Sequence, residues 1–320
     1  MNKWLALSFS FATLLTGCAS NTSDIISSPS ANLTTLYDYS ITSPNGKTLT
    51  VEQLATELKN ADIILVGEWH SHPAAHLLQS QLFAALYQQN PQLTLSMEQF
   101  TRDKQAVVDQ YLASKIGERT LVSEGNAWPN YDSDYRPLVE FAKQNNLDVI
   151  AANAPKSIVR CISKNGPEYL NKLPPSERSW IAQSLTLNKD AYQTKFLNSM
   201  HHGNEEQNLR MFAAQTAWDD TMAESMVTYL NTHPNKQIIH VAGRFHTMEG
   251  LGTASRIKAR NPNLTVAVVT PITTSEVLSD GALDYKVTMA PLPVRYVQKE
   301  KQNKAMMNMI KRNKDLKCYE

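Results

Sequence analysis

Residues 62–70, Asp-Ile-Ile-Leu-Val-Gly-Glu-Trp-His, decide the fold and mark its working edge. Ile63 to Val66 is too short for a helix and too apolar for a surface, which suits a strand buried on both faces. Gly67 lets the chain turn sharply off that strand, and His70 follows three residues later. The same order returns at residues 237–246, where Gln-Ile-Ile-His-Val-Ala leads into Gly243-Arg244-Phe245-His246. Two apolar strands, each followed by Gly-x-x-His, predict two imidazoles at one edge of a sheet. In open α/β sheets that edge, beyond the carboxyl ends of the strands, is where ligands bind.

Outward from these strands the chain alternates. Apolar residues at helical spacing run from Leu77 to Tyr87, a strand is expected at Leu93–Met97, and helices at 103–114 and 134–144. A third strand falls at Leu147–Ala152, a long amphipathic helix at Leu209–Leu230, a short one around Ala254–Ala259, and another strand at Leu264–Thr270. Strands alternating with helices imply an α/β fold: a mostly parallel central sheet flanked by helices. Residues 156–203, interrupted by Pro174-Pro175, read as an all-helical insertion, and 284–297 as edge strands. The expected single domain spans 36–298, with a tail at 299–320. Within it, residues 299–317 carry seven Lys or Arg against Glu300 and Asp315, interleaved with Met306, Met307, Met309 and Ile310. It reads as a solvated helix, with contact to anionic lipid headgroups as the alternative.

The 320 residues carry a net charge of +1, so no basic field points to nucleic acid. Eleven Gly is low, and neither a dinucleotide nor a P-loop glycine pattern is present. The first residues are for delivery. Lys3 precedes a twelve-residue apolar run, Trp4 to Leu15, too short to span a membrane but suited to a signal peptide occupying 1–17. It ends in Leu15-Thr16-Gly17-Cys18, which looks like a bacterial lipobox with Cys18 as the lipidated residue. With Ala19 and Ser20 following and no Asp, the expected destination is the outer membrane, facing the periplasm. The lipidated Cys and a Ser-, Thr- and Asn-rich tether fill 18–35. In such an oxidising compartment Cys161 and Cys318 are free to pair or to stay apart.

At the predicted rim, Glu98 ends the intervening strand and Glu68 sits inside the first motif. His70, His246, Glu68, Glu98 and, from the long helix, Asp219 form a possible divalent metal set. In that alternative the chain is a metal-dependent hydrolase, with Glu68 or Glu98 as general base to a metal-bound water. The blander alternative makes both histidines packed core residues. His72 reads as a surface residue at a helix start, and His76 lies four residues on as a further candidate. Arg244, inside the second motif, would clamp an anionic group or repel a metal. Asp219, Asp220 and Glu224 form an acidic stripe that faces either the rim or solvent.

Gly67-Glu68-Trp69-His70 with Pro73 and His76, Trp128-Pro129, Tyr135-Arg136-Pro137, Gln215, Trp218 to Ala223 and Gly243-Arg244-Phe245-His246 together resemble the ChaN family of haem-binding lipoproteins. The resemblance spans about residues 50–272 and reaches a wider superfamily that includes Tiki proteins and erythromycin esterases. It departs at Asp219-Asp220-Thr221-Met222-Ala223, where the family commonly has Asp-Glu, and at Arg244-Phe245. It implies a lipid-anchored protein that binds haem for haem or iron uptake, as a homodimer, in company with an uptake receptor. It also implies a Tyr axial ligand. Tyr135 and Tyr131 are the candidates, unless they are half-buried aromatics. His201 or His202 would support the haem, Arg136, Lys156 and Arg160 would pair with propionates, and Met200, Met211, Phe212 and Met222 would line a slot or belong to the core.

Overall fold

Every residue of the Ile63–Glu68 strand is buried, and so is every residue of Gln237–Gly243, because the two lie side by side in the middle of one sheet. The computed structural model describes residues 33–200, 203–314 and 316–320. Cys18, the signal peptide, and His201 and His202 lie outside the described residues.

The strands are β1 (Tyr39–Thr42), β2 (Thr48–Leu49), β3 (Ile63–Glu68), β4 (Leu93–Thr101), β5 (Val149–Asn153), β6 (Gln237–Gly243), β7 (Val266–Thr273) and β8 (Tyr285–Met289). Their order across the sheet is β2-β1-β8-β7-β3-β6-β4-β5. From β8 to β5 all neighbours are parallel, and only β1 and β2 run antiparallel. The predicted mostly parallel sheet is therefore the observed one. Its hidden centre follows from the sequence, since Val, Ile and Leu on both faces of a strand need cover on both sides.

The helices, in chain order, are α1 (Val51–Leu58), α2 (Pro73–Gln89), α3 (Gln105–Leu112), α4 (Glu118–Glu124), α5 (Arg136–Gln144), α6 (Lys156–Asn165), α7 (Pro175–Arg178), α8 (Ala191–Ser199), α9 (Glu205–Thr232), α10 (Arg244–Thr247), α11 (Thr253–Arg260) and α12 (Lys299–Lys314). The core on one face joins α1, α2, α3 and α5 through Leu54, Leu82, Phe83, Val108 and Val139. The other face is covered by α9 and α11 through Met222, Met226 and Ile257. Met222 is thus core. Between α6 and α9 a separate cluster packs Ile158, Ile162, Ala213 and Ala217, and Cys161 there is disulfide-bonded to Cys318, Cα to Cα 5.7 Å. Residues 156–199 hold helical pieces joined by an irregular stretch at 179–190, and α12 forms the basic tail. Among the described residues, no helix is long and apolar enough to cross a membrane.

The start of α2 differs from expectation. His72 is not on the surface but fully buried. It caps the helix by accepting from the amide of Ala74 through Nδ1 (3.2 Å) and donates through Nε2 to the carbonyl of Ala290 (2.8 Å), with Pro73 at the first turn. Burial is stabilised here because both ring nitrogens are satisfied.

Candidate functional site

Register brings the two motifs level. Glu68 pairs with Gly243 across β3 and β6, and β4 runs on beside them to Glu98 and Gln99. A Cβ on Gly243 would lie 2.7 Å from Cε1 and 3.0 Å from Nε2 of His70, so only glycine leaves room for the imidazole to lie across the end of β6.

His70 is held from behind. Its Nδ1 donates to Oε1 of Glu68 (2.8 Å), and the same oxygen accepts from the Tyr135 hydroxyl (2.6 Å) and the Gln99 amide (3.3 Å). The other oxygen of Glu68 accepts from Gln79 (2.7 Å). Burial alone would raise the Glu68 carboxyl, but the His70 hydrogen bond, the charges of His76 and His70, and the Tyr135 hydroxyl bring it below the ordinary range. For His70, burial works against the proton, while the Glu68 hydrogen bond and the charges of Glu98 and Glu68 raise its pKa. Trp128 stands edge-on to the ring at 4.8 Å between centroids. Among the described residues none hydrogen-bonds to His70 Nε2, and about half of this side chain is exposed.

His246 has a matching brace. Its Nδ1 lies 3.0 Å from Oδ1 of Asp219, which also accepts from Thr253 (2.8 Å), while Tyr192 donates to Oδ2 (2.7 Å). Gln215 reaches the same imidazole at 3.1 Å, and Glu98 lies 3.7 Å from Nε2. Burial opposes charge on this ring, but Asp219 and then Glu98 outweigh it, and the pKa is raised to about 9. Glu98 is itself held by the Gly243 amide (2.6 Å).

Both imidazoles open on one cavity of about 770 Å³. Trp128 and Trp218 are its large aromatic walls, Ala127, Pro129, Ala154 and Pro155 add apolar surface, and Glu98, Lys156 and Ser157 add polar groups. Its volume falls within the range of roughly 300–1,000 Å³ typical of cofactor pockets.

The other predicted residues are placed elsewhere. Tyr135 is fully buried as the donor to Glu68, and Tyr131 is buried against Phe100, so neither phenol reaches the cavity wall. Burial, reinforced at Tyr135 by the Glu68 charge, raises both phenol pKa values. Arg136 is engaged by Glu118 and Asp132 and is not a cavity cation, because those two carboxylates hold it on the outer face. Arg244 likewise leaves the rim: it makes a two-pronged pair with Glu276 (2.9 and 3.0 Å) and lies over Trp69 at 4.8 Å. His76 is buried behind Glu68, bonded to Gln79 and to the carbonyl of His70. Lys156 does line the cavity. Phe212 packs with Tyr192, Phe196, Met200 and Phe245, while Met211 is exposed. Asp220 faces Arg260 and Thr186, and Glu224 faces Arg102.

The metal set is not assembled. Glu68 is surrounded by its donors behind His70, and Asp219 stands behind His246, so among the described residues no group of three or more His, Cys, Asp or Glu side chains can hold a metal ion. Glu98 remains as a carboxylate of the cavity wall. Sequence reasoning missed Gln79, Gln99 and Tyr192. Gln79 had a local signal, lying three residues after His76 on one helix face. Tyr192 had none, since it meets Asp219 only through tertiary packing.

The fold is similar to that of ChaN of Campylobacter jejuni, solved with cofacial haem, at 17% identity with a TM-score of 0.63, covering 79% of this chain and 97% of that one. An erythromycin esterase, EreC, in its open conformation is more distant, at 11% identity and a TM-score of 0.44 over 83% of this chain and 86% of that one. The Arabidopsis thaliana chloroplastic protein RETICULATA-RELATED 5 is 27% identical over 129 residues, which is 38% of this chain but only 17% of that protein. Residues 54–257, which hold both Gly-x-x-His motifs, both carboxylate-braced imidazoles and most of the cavity wall, match the family described as haem-binding uptake, Tiki superfamily, ChaN, and the chain belongs to that family.

Proposed function

We propose that this chain is a lipid-anchored haem carrier, tethered through Cys18 to the outer membrane on its periplasmic side, that holds or passes haem as a homodimer in company with an uptake receptor. The observation that carries the haem reading is the cavity itself: about 770 Å³, flanked by Trp128 and Trp218 and reached by two imidazoles, each braced by a buried carboxylate. Haem needs an apolar slot, an axial donor and cations for its propionates. The tryptophans provide the first, an imidazole the second, and Lys156 at the start of α6 the third. These residues fit the group. Bound haem iron would supply the redox-active centre; the protein's part is to hold, orient and shield it.

The test is titration of ferric haem into the detergent-solubilised full chain, read by Soret absorbance. Saturable binding is expected, with Trp128→Ala and Trp218→Ala each weakening it about tenfold, the loss of roughly 1.4 kcal/mol of contact. Absence of saturation in the parent chain would overturn the reading. Labelled palmitate incorporated by the parent but not by Cys18→Ser would support the anchor, and sedimentation with and without haem would test the homodimer.

A further inference from the structure

The basic helix α12 lies outside residues 54–257, the stretch that matches the family, and neither the sheet nor the cavity accounts for it. We propose that α12 is a docking surface for a bilayer rich in anionic phospholipid, and that it sets which side of the domain meets the membrane; this rests on the reading that Cys18 holds the chain at a membrane.

Charge is unevenly distributed along the chain. Between residues 299 and 317 stand seven Lys or Arg and two acidic residues, a net charge of +5. The other residues hold 24 Lys or Arg against 28 Asp or Glu, a net charge of −4. An anionic surface therefore repels the body of the chain and attracts this segment. Lys299, Lys301 and Lys304 are exposed, and among the described residues none of them has an acidic partner. A purely solvated helix has no need of apolar residues among its cations, yet Met306 and Met307 stand in water, 43% and 60% exposed. In sequence Ala305, Met306, Met309 and Ile310 fall at the three- and four-residue spacing of one helix face, and Lys301, Lys304 and Lys311 at that of another. Duplex nucleic acid would take the cations and leave the methionines wet. The boundary between headgroups and acyl chains takes both, because lysine stems reach the phosphates while apolar side chains enter below them.

Two attachments keep the helix near a bilayer. Upstream, 21 residues separate Cys18 from the start of β1, a span of at most about 75 Å. Within that distance weak contacts suffice to seat α12, since the anchor supplies a high local concentration of lipid. Downstream, the residues after α12 are fixed to the body. Leu316 packs on the α6 cluster and Cys318 is bonded to Cys161. Tyr319 donates through its amide to the Tyr169 hydroxyl (3.2 Å) and through its own hydroxyl to Glu177 (2.5 Å). The far end of the helix is thus tied to α6 five residues, or about 7.5 Å of helix rise, from Lys156 on the cavity wall. Seating α12 on lipid brings the α6 side of the cavity toward the membrane.

The experiment uses the lipidated full chain in vesicles of phosphatidylcholine, alone or with about one-third phosphatidylglycerol. A polarity-sensitive dye is placed on α12 through Asn303→Cys, an exposed position, the other cysteines being acylated or paired. Its emission should shift to the blue on the phosphatidylglycerol vesicles and return in about 0.5 M salt, where the screening length falls to roughly 4 Å. Lys299→Gln, Lys301→Gln and Lys304→Gln together should cut the shift at least fivefold, and Met306→Gln should weaken it with the charges intact. Ferric haem titration of these variants should match the parent, which shows that the domain is still folded. An emission unchanged by phosphatidylglycerol would overturn the proposal. So would a shift that is equal on neutral vesicles, ignores salt and grows with protein density, which would assign α12 to contact between copies. Flotation tells the anchor apart. A chain that rides on neutral vesicles without a lipid response at α12 keeps the anchor and loses the proposal, whereas one that floats only with phosphatidylglycerol keeps the docking surface and loses the anchor.

Discussion

At the scale of the residue, the two motif histidines are told apart by what stands behind them. His246 has its proton held by Asp219 and Glu98, with a pKa near 9 against an ordinary 6.5. Because the folded chain binds this proton more tightly than the unfolded one, the interaction stabilises fully below about pH 6.5 and is lost as pH rises through 9. Thermal unfolding followed from pH 6 to 9.5 should therefore show a falling midpoint. His246→Gln should flatten that fall and cost on the order of a few kcal/mol at pH 6. An unchanged slope in the variant would show that other groups titrate in its place. Spacing made these histidines visible in the sequence, since a glycine turn and a His three residues later are local. Their partners were not, because Glu68 draws Gln79 from α2, Gln99 from β4 and Tyr135 from the π-helical turn Tyr131–Tyr135 that leads into α5. Tyr135 was one of two candidate ligands implied by the family resemblance, with a half-buried aromatic as the alternative, and sequence gives no sign of its bond to Glu68 because that partner lies 67 residues away.

At the scale of the element, β3 was readable because its apolar run Ile63–Val66 is unbroken, and the helices on the two faces of the sheet bury all six residues of the strand. The Tyr39–Thr42 and Thr48–Leu49 strands were not, since both are short and half polar and gain their order only by pairing beside β8. The residues 51–58 helix was also missed; its capping box, Thr50 with Gln53, was a local signal available in the sequence. His72 shows how one element secures another, joining the start of α2 to the strand exit at Ala290. His72→Ala removes a cap and leaves a carbonyl unpaired, and should destabilise by about 2–3 kcal/mol in denaturant titration. A change under about 0.5 kcal/mol would mean that water replaces the ring at both positions.

At the scale of the whole molecule, the basic helix α12 is bracketed along the chain by β8 on one side and the Cys161–Cys318 disulfide on the other. The bond ties the segment after α12 to α6, whose first residues, Lys156 and Ser157, line the cavity. Closing a span of 157 residues, it has a ceiling of about 5 kcal/mol from loop entropy. Cys318→Ser should lower the thermal midpoint by several degrees and expose residues 299–320 to protease, and an unmoved midpoint would show that packing alone holds the tail. The bond also sets an order of events. Cys161 is made 157 residues before its partner, so its thiol must wait, and throughout that interval the other cysteine in the sequence is Cys18. If Cys18 is acylated, the wrong pairing is removed chemically and the right one becomes the single outcome. Maturation at one end of the chain would then proofread closure at the other.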